Sequence, residues 1–222
     1  MNDYSKKLIS LLSANANPAN AQAMSAYMKY NFPFFGINAP KRTMLLKQFF
    51  TENTPPQYIE LLEVVSELFN QPQRELHYCA IEILAKRKKE WRKQDIDIFE
   101  KLILSNSWWD SVDYINNVLV AEYFIKFPDQ IRPITTQWMA SNNIWLQRVC
   151  LIFQLHYKNK ADFTLMTEYI LQLKDSNEFF IQKAIGWALR QYARQDPVAI
   201  KLFVENNTLK PLSKREALKH IS

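Results

Sequence analysis

Apolar residues along the chain recur every three or four positions, which is the spacing of one face of an α-helix. The pattern is interrupted at prolines and short polar clusters, where helices commonly begin or end. No stretch shows a competing strand pattern. The pattern therefore predicts an all-α protein with helices at Tyr4–Ser13, Ala19–Tyr30, Pro40–Phe50, Pro56–Phe69, Pro72–Lys89, Gln94–Leu104, Ser107–Phe127, Asp129–Ala140, Asn142–Tyr157, Asp162–Leu173, Ser176–Arg194, Pro197–Glu205 and Ser213–His220.

A sequence repeat relates several of these helices to one another. Residues Trp145–Val149 resemble Phe180–Ala184, which lie 35 residues further along the chain. A period near 35 residues with two helices per unit is typical of a helical solenoid and is slightly shorter than a typical HEAT repeat. Because equivalent positions of successive repeats line up along one face, we expect Asp113, Arg148 and Lys183 on the same side of the array.

The helix predicted at Ser107–Phe127 carries the first candidate for chemistry. Ser107 and Asp110 have the spacing of a helix start. Trp109 and Asp113 lie beside the apolar stripe, one turn apart. Asp113 is too far inside the helix to cap it, and its neighbours on that helix include no cation. It is therefore a candidate for catalysis or for binding a cation, and the alternative is a surface acid or an acid paired with another helix.

Two later helices carry polar side chains that need an explanation. Trp187 lies off the apolar stripe of its helix and among three basic residues. These are Lys183, Arg190 and Arg194. An indole among cations suits DNA phosphates together with a flat sugar or base, and the alternative is packing against a neighbouring helix. Arg148 projects from a helix that is apolar nearly all round, so its guanidinium needs either a carboxylate, such as Asp113, or a phosphate.

Composition excludes several classes of function. With only two glycines in 222 residues, the chain contains neither a phosphate-binding loop nor a dinucleotide-binding motif. The net charge of +6 favours a polyanionic partner. Cys79 and Cys150 are isolated in apolar helical pattern, which predicts core thiols of a reducing compartment. The histidines are scattered, so we expect no metal and no cofactor. The apolar run near the N-terminus is too short for a signal peptide, and no stretch is long enough to span a membrane, so we expect a cytoplasmic protein. We also expect one domain at residues 1–222.

Four stretches of the chain resemble the AlkD family of DNA alkylation-repair glycosylases. They are SWWDSVD, NNIWLQRVCLIFQLHYK, EFFIQKAIGWALRQYA and NFPFFGINAPKR. The similarity extends over essentially the whole chain, in order and at consistent spacing. It implies a curved, right-handed solenoid of HEAT-like repeats whose basic concave face holds duplex DNA, which would associate the protein with the nucleoid. It also implies excision of cationic alkylated purines such as 3-methyladenine and 7-methylguanine, without flipping of the base.

The resemblance also implies roles for individual residues. The family's active-site positions match four residues of this chain. They are Asp113 for the catalytic aspartate, Trp109 and Trp187 for the two tryptophans, and Arg148 for an arginine that would hold a phosphate near the lesion. Tyr27 matches a tyrosine that approaches the DNA. Asn38 is also expected to contact the DNA, at a position where relatives have a longer amide side chain.

The leading hypothesis is a monofunctional hydrolytic glycosylase acting on duplex DNA. A purine alkylated at N3 or N7 is already cationic and leaves as a neutral base, so a single carboxylate can suffice. No lysine is placed as a Schiff-base nucleophile, which predicts hydrolysis without strand nicking. The alternative is a non-catalytic HEAT-like solenoid that binds nucleic acid or a protein partner, which predicts DNA binding without base release. We expect a monomer, since a solenoid that wraps DNA has no need of a dimer.

Overall fold

The computed structural model describes residues 1–220, and every regular element among them is helical. The all-α prediction is therefore confirmed, and each predicted segment overlaps a helix. None of the helices in this range is long and apolar enough to cross a bilayer. The α-helices are α1 (Asp3–Ala14), α2 (Pro18–Tyr27), α3 (Ala39–Glu52), α4 (Tyr58–Phe69), α5 (Arg74–Lys86), α6 (Ile96–Leu104), α7 (Trp109–Ile115), α8 (Ala121–Lys126), α9 (Ile131–Ala140), α10 (Ile144–Ile152), α11 (Phe163–Leu173), α12 (Phe179–Tyr192), α13 (Pro197–Asn206) and α14 (Pro211–Ala217).

Several helix boundaries differ from the prediction because local hydrogen bonds and backbone angles determine where a helix ends. The Ser107 hydroxyl donates to the carbonyl of Ile103 at 2.6 Å, and α7 begins only at Trp109. The prediction that Ser107 starts this helix is therefore wrong. The second helix ends at Tyr27, since Lys29 and Tyr30 follow with left-handed φ angles of 54° and 59°.

The helix predicted at Ser107–Phe127 contains a π-helical turn that the apolar pattern did not indicate. This turn, Asn116–Val120, joins α7 to α8 in one continuous helix. The amide of Asn116 donates to the carbonyl of Ile152, the last residue of α10, at 3.2 Å. The helix predicted at Asn142–Tyr157 ends at this residue. The same carbonyl also accepts the backbone N–H of Leu155 at 3.1 Å, so two donors meet the carbonyl at the end of α10.

Residues 1–92 form one compact unit that contains α1 to α5. In this unit α1 packs against α3 and α4, and α4 packs against α5. The irregular segment before α3 is held by the buried carboxylate of Glu75, which accepts hydrogen bonds from the backbone N–H groups of Phe35, Gly36 and Ile37 at 2.9–3.0 Å. Gly36 has φ +87°, and a Cβ there would lie 2.0 Å from the carbonyl oxygen of Asn17, so the segment requires glycine.

The second compact unit begins at residue 93 and contains α6 to α14. Within it α7 packs against α10, α10 against α12, and α12 against α14. The sequence repeat relates the first three of these helices, so repeat-related helices are successive neighbours, as in a helical solenoid. The apolar residues Val112, Ile115, Leu119 and Tyr123 of the continuous helix from α7 to α8 are fully buried. These packed helices bring the candidate functional residues together.

Candidate functional site

A cleft of about 410 Å³ opens on the second unit, and four helices line it. Its walls come from α7, α10, α12 and α14. The lining residues are Trp109, Asp113, Arg148, Phe179, Phe180, Lys183, Trp187, Arg190 and Glu216. The four residues that the resemblance assigns to the active site therefore share one cleft, together with two of the three cations around Trp187.

The Asp113 carboxylate and the Arg148 guanidinium form a bidentate ion pair in this cleft. Arg148 donates from Nε to Asp113 Oδ1 at 2.7 Å and from Nη2 to Oδ2 at 2.8 Å. The Arg148 side chain is only 6% exposed, and the Asp113 side chain is 15% exposed. The sequence left either a carboxylate or a phosphate as the partner of Arg148, and the structure supplies the carboxylate. Asp113 is likewise an acid paired with another helix.

The backbone of α12 holds the other edge of the Arg148 guanidinium. Arg148 Nη1 donates to the carbonyl of Phe180 at 2.6 Å, in the first turn of α12. The Phe180 ring lies 5.0 Å from the ring of Trp145 and 5.3 Å from that of Trp108, measured between centroids. This aromatic cluster fixes the position of Phe180, and through its carbonyl that of Arg148. The repeat identifies Trp145 and Phe180 only as equivalent positions and does not indicate this packing.

The π-helical turn supports the same ion pair from the side of α7. It starts three residues after Asp113, and Asn116 is fully buried. Because its amide donates to Ile152, it connects the helix that carries Asp113 to the helix that carries Arg148. Single π-helical turns within α-helices are frequent at functional sites. The consecutive amides Asn116 and Asn117 in an otherwise apolar stretch were the available sequence signal.

A second carboxylate, Glu216 of α14, lies in the cleft between two cations of α12. Its Oε1 accepts a hydrogen bond from Lys183 Nζ at 2.9 Å, and its Oε2 accepts one from Arg190 Nη1 at 2.5 Å. The hydrogen bond from Lys183 contributes most to a lowered pKa of Glu216, partial burial opposes it, and Arg190 lowers the pKa further. Glu216 was not among the residues predicted from the sequence, where its signal is a single acid within the basic run Lys214–Lys219.

Glu216 reaches the cleft because α14 approaches α12 very closely. At the crossing stands Gly186, where a Cβ would lie 2.4 Å from the Cβ of Glu216 and 3.0 Å from the carbonyl oxygen of Ser213. The Ser213 hydroxyl donates to the carbonyl of Gln182 at 3.0 Å, which adds a polar contact between the two helices. The missing side chain at Gly186 thus allows the approach that places the carboxylate between the cations.

Three residues predicted to bind DNA lie outside this cleft. Arg194 follows the end of α12 and is exposed. Tyr27 and Asn38 belong to the first unit, where Tyr27 is 72% exposed at the end of α2. The side chain of Asn38 caps α3 by accepting the N–H of Lys41 at 3.1 Å, so it has a structural role there. DNA contacts of these three residues stay predictions.

The two cysteines lie in the core, as the apolar pattern predicted. Cys79 and Cys150 are both buried as free thiols, and burial raises the pKa of each. Within residues 1–220, no three side chains of histidine, cysteine, aspartate or glutamate are grouped so that they could hold a metal ion. The charged groups that line the described cleft are two carboxylates and three cations.

Similarity to known proteins extends over almost the full length of the chain. The family model described as DNA alkylation repair enzyme matches residues 8–221. A solved structure described as a predicted DNA alkylation repair enzyme from Enterococcus faecalis is 33% identical, with a TM-score of 0.87 over 93% of this chain and 97% of that one. No curated protein is significantly similar.

Proposed function

Because the chain belongs to the family of DNA alkylation repair enzymes, we propose that it is a monofunctional DNA glycosylase that hydrolyses the N-glycosidic bond of cationic alkylated purines in duplex DNA. 3-Methyladenine and 7-methylguanine are the simplest substrates of this class. The observation that carries the proposal is the Asp113 carboxylate, held at both oxygens by Arg148, in a cleft that Trp109 and Trp187 also line.

Asp113 is the proposed catalytic residue because bond cleavage develops positive charge on the deoxyribose. A fixed carboxylate beside the sugar stabilises that charge and orients a water molecule for attack on C1′. As the water oxygen bonds to C1′, the electron pair of the C1′–N bond moves onto the purine and neutralises its charge. The proton of the water passes to Asp113 or to solvent. A leaving group that departs neutral needs no general acid, so one carboxylate suffices.

Arg148 is the proposed positioning residue for this carboxylate. Three of its donors, Nε, Nη1 and Nη2, already have acceptors in the protein, and the side chain is 6% exposed. A guanidinium in this state is better suited to orienting Asp113 than to holding a DNA phosphate. This differs from the phosphate-binding role that the family resemblance implies for the residue.

Trp109 and Trp187 are proposed to lie against the deoxyribose of the damaged nucleotide. The faces of their indole rings attract positive charge, and this attraction grows as the sugar becomes cationic. The cleft is open and about 410 Å³ in volume, which suits a nucleotide approached from the side. We therefore propose that excision proceeds without rotating the base into a closed pocket, as most base-excising enzymes require.

The test is release of free base from a duplex oligonucleotide that carries one 7-methylguanine. Wild type should release the base, and Asp113→Asn should do so at least about 100-fold more slowly, because it loses the charge that stabilises the sugar cation. Asp175→Asn is the matched control, since this aspartate is 79% exposed and does not line the cleft. It should retain the wild-type rate.

Two results would contradict the proposal in different ways. Equal rates for wild type and Asp113→Asn would remove Asp113 from the chemistry. Tight binding of the duplex by wild type with no base release would favour the non-catalytic nucleic-acid-binding solenoid.

A further inference from the structure

We propose that Glu216 is a specificity-determining residue whose carboxylate occupies, between Lys183 and Arg190, the position of an ordinary DNA phosphate. By weakening the hold of these two cations on undamaged backbone, it makes binding in the cleft depend more on the damaged nucleotide. The inference rests on the proposed duplex DNA substrate. It concerns the wall of the cleft formed by α12 and α14.

The contacts of Glu216 are those that a phosphate group would make. Each carboxylate oxygen accepts from a different cation, Oε1 from Lys183 at 2.9 Å and Oε2 from Arg190 at 2.5 Å. Lysine and arginine bind carboxylates and phosphates through the same charge-assisted hydrogen bonds. Both cations are therefore already engaged by an anion of the protein before DNA arrives.

The charge of the cleft shows what Glu216 changes. Its lining contains three cations and two carboxylates, a net charge of +1. Arg148 is neutralised by Asp113, which leaves the excess charge with Lys183 and Arg190. Removing the Glu216 charge would double the net charge of the lining. Affinity for any duplex depends on the number of phosphates that cations neutralise, so the carboxylate lowers the sequence-independent part of binding.

The two cations are exposed enough for DNA to reach them, and the Glu216 carboxylate is more deeply buried than either cation. The side chains of Lys183 and Arg190 are 38% and 23% exposed, and that of Glu216 is 14% exposed. The close approach at Gly186 and the Ser213 hydrogen bond to α12 hold the carboxylate there. Glu216 is thus built into the cleft wall and competes with phosphates for both cations.

The test compares Glu216→Gln with a matched variant, Glu205→Gln, for binding to an undamaged duplex. Glu205 is exposed on α13 and does not line the cleft, so it controls for the change in net charge. Glu216→Gln should bind undamaged duplex about 3- to 10-fold more tightly at low salt. Between about 50 and 200 mM salt, its plot of log affinity against log salt should be steeper by about 0.9, which corresponds to one more phosphate contact. Glu205→Gln should change both quantities much less.

Selectivity gives a second readout of the same variant. The ratio of affinities for a duplex with one 7-methylguanine and for the undamaged duplex should fall about 3-fold or more in Glu216→Gln, by the same counterion argument. In the triple variant Glu216→Gln/Lys183→Gln/Arg190→Gln, the gain in affinity over Lys183→Gln/Arg190→Gln should disappear. A gain that persists without both cations would overturn the proposal, since it would not come from the released cations.

Circular dichroism, measured together with duplex binding, separates this role from a purely structural one. If Glu216→Gln is folded by circular dichroism but binds undamaged duplex no more tightly than Glu205→Gln, the proposal is wrong. If Glu216→Gln is unfolded, Glu216→Asp replaces it; its shorter side chain should give a smaller gain in the same direction, and no gain would overturn the proposal. Binding to undamaged duplex does not require catalysis, so failure to release base leaves this result readable. Absence of any duplex binding would overturn both proposals.

Discussion

The two carboxylates of the cleft are held in different ways. Asp113 gives both oxygens to a single guanidinium, that of Arg148, and the pair is nearly buried. Glu216 shares its oxygens between Lys183 and Arg190, which are both more exposed. The first arrangement is electrically neutral and rigid, as a proposed catalytic group requires. The second keeps an excess positive charge near the surface, where it can meet a polyanion.

Removing a cation from each carboxylate should separate the two arrangements most clearly. Arg148→Met should lower the free energy of unfolding by about 3–5 kcal/mol, because it leaves a nearly buried carboxylate without its partner. Lys183→Met should lower it by only about 0–1 kcal/mol, since the lysine is 38% exposed and Glu216 keeps Arg190. Denaturant unfolding of both variants measures the difference. Equal losses would mean that burial does not distinguish the pairs.

Gly186→Ala should disturb the Glu216 side of the cleft while leaving the Asp113 pair in place. The added Cβ would lie 2.4 Å from the Cβ of Glu216, so α14 must shift. We expect this overpacking to cost about 1–3 kcal/mol in unfolding free energy. The gain of about 1 kcal/mol from replacing a helical glycine offsets part of that cost, so the net loss should be up to about 2 kcal/mol. Thermal and denaturant unfolding check the prediction, and a stabilised variant would show that α14 adjusts without strain.

The smallest expected effect is a pH dependence of the stability contributed by Glu216. The lowered pKa of this carboxyl in the folded protein means that its ion pairs stabilise the fold above its ordinary value of 4.5 and lose that effect as pH falls through the lower folded value. Wild type should therefore be more stable than Glu216→Gln at pH 7, by less than about 1 kcal/mol since the cations are partly exposed. The difference should vanish in acid below pH 4.5.

Unfolding of wild type, Glu216→Gln and Glu205→Gln across this pH range measures the effect. Glu205→Gln should follow wild type, because Glu205 is exposed and does not line the cleft. A wild-type advantage that grows as the pH falls would contradict the sign of the prediction.

Most of the fold could be predicted because an amphipathic helix requires apolar residues at a regular spacing within one short segment of the sequence. Within residues 1–220, the spacing of apolar residues predicted every segment in which an α-helix is found, and the 35-residue repeat predicted that α7, α10 and α12 are neighbours. Helix ends were less predictable, since single hydrogen bonds decide them. The Ser107 hydroxyl bonds back to Ile103 instead of starting α7, and nothing in the periodicity distinguishes these two choices.

The Asp113 side of the cleft could be inferred because its residues were conspicuous on their own helices. An acid without a local partner and an arginine on an apolar helix each lacked an explanation, and the repeat placed them on one face. The Glu216 side could not be inferred in this way. On its own helix Glu216 is an ordinary acid among basic residues, and its partners lie 33 and 26 residues earlier in the chain.

The sequence by itself therefore determined the helices, their repeat and the residues that lack a comfortable position on any single helix. Each of these follows from spacing along one chain segment, where helical geometry converts sequence distance into position. Only the tertiary structure decided which charged groups pair. Arg148 pairs with Asp113, and Glu216 pairs with both Lys183 and Arg190. Those pairings depend on how closely helices pack, and at Gly186 a single absent side chain sets the distance.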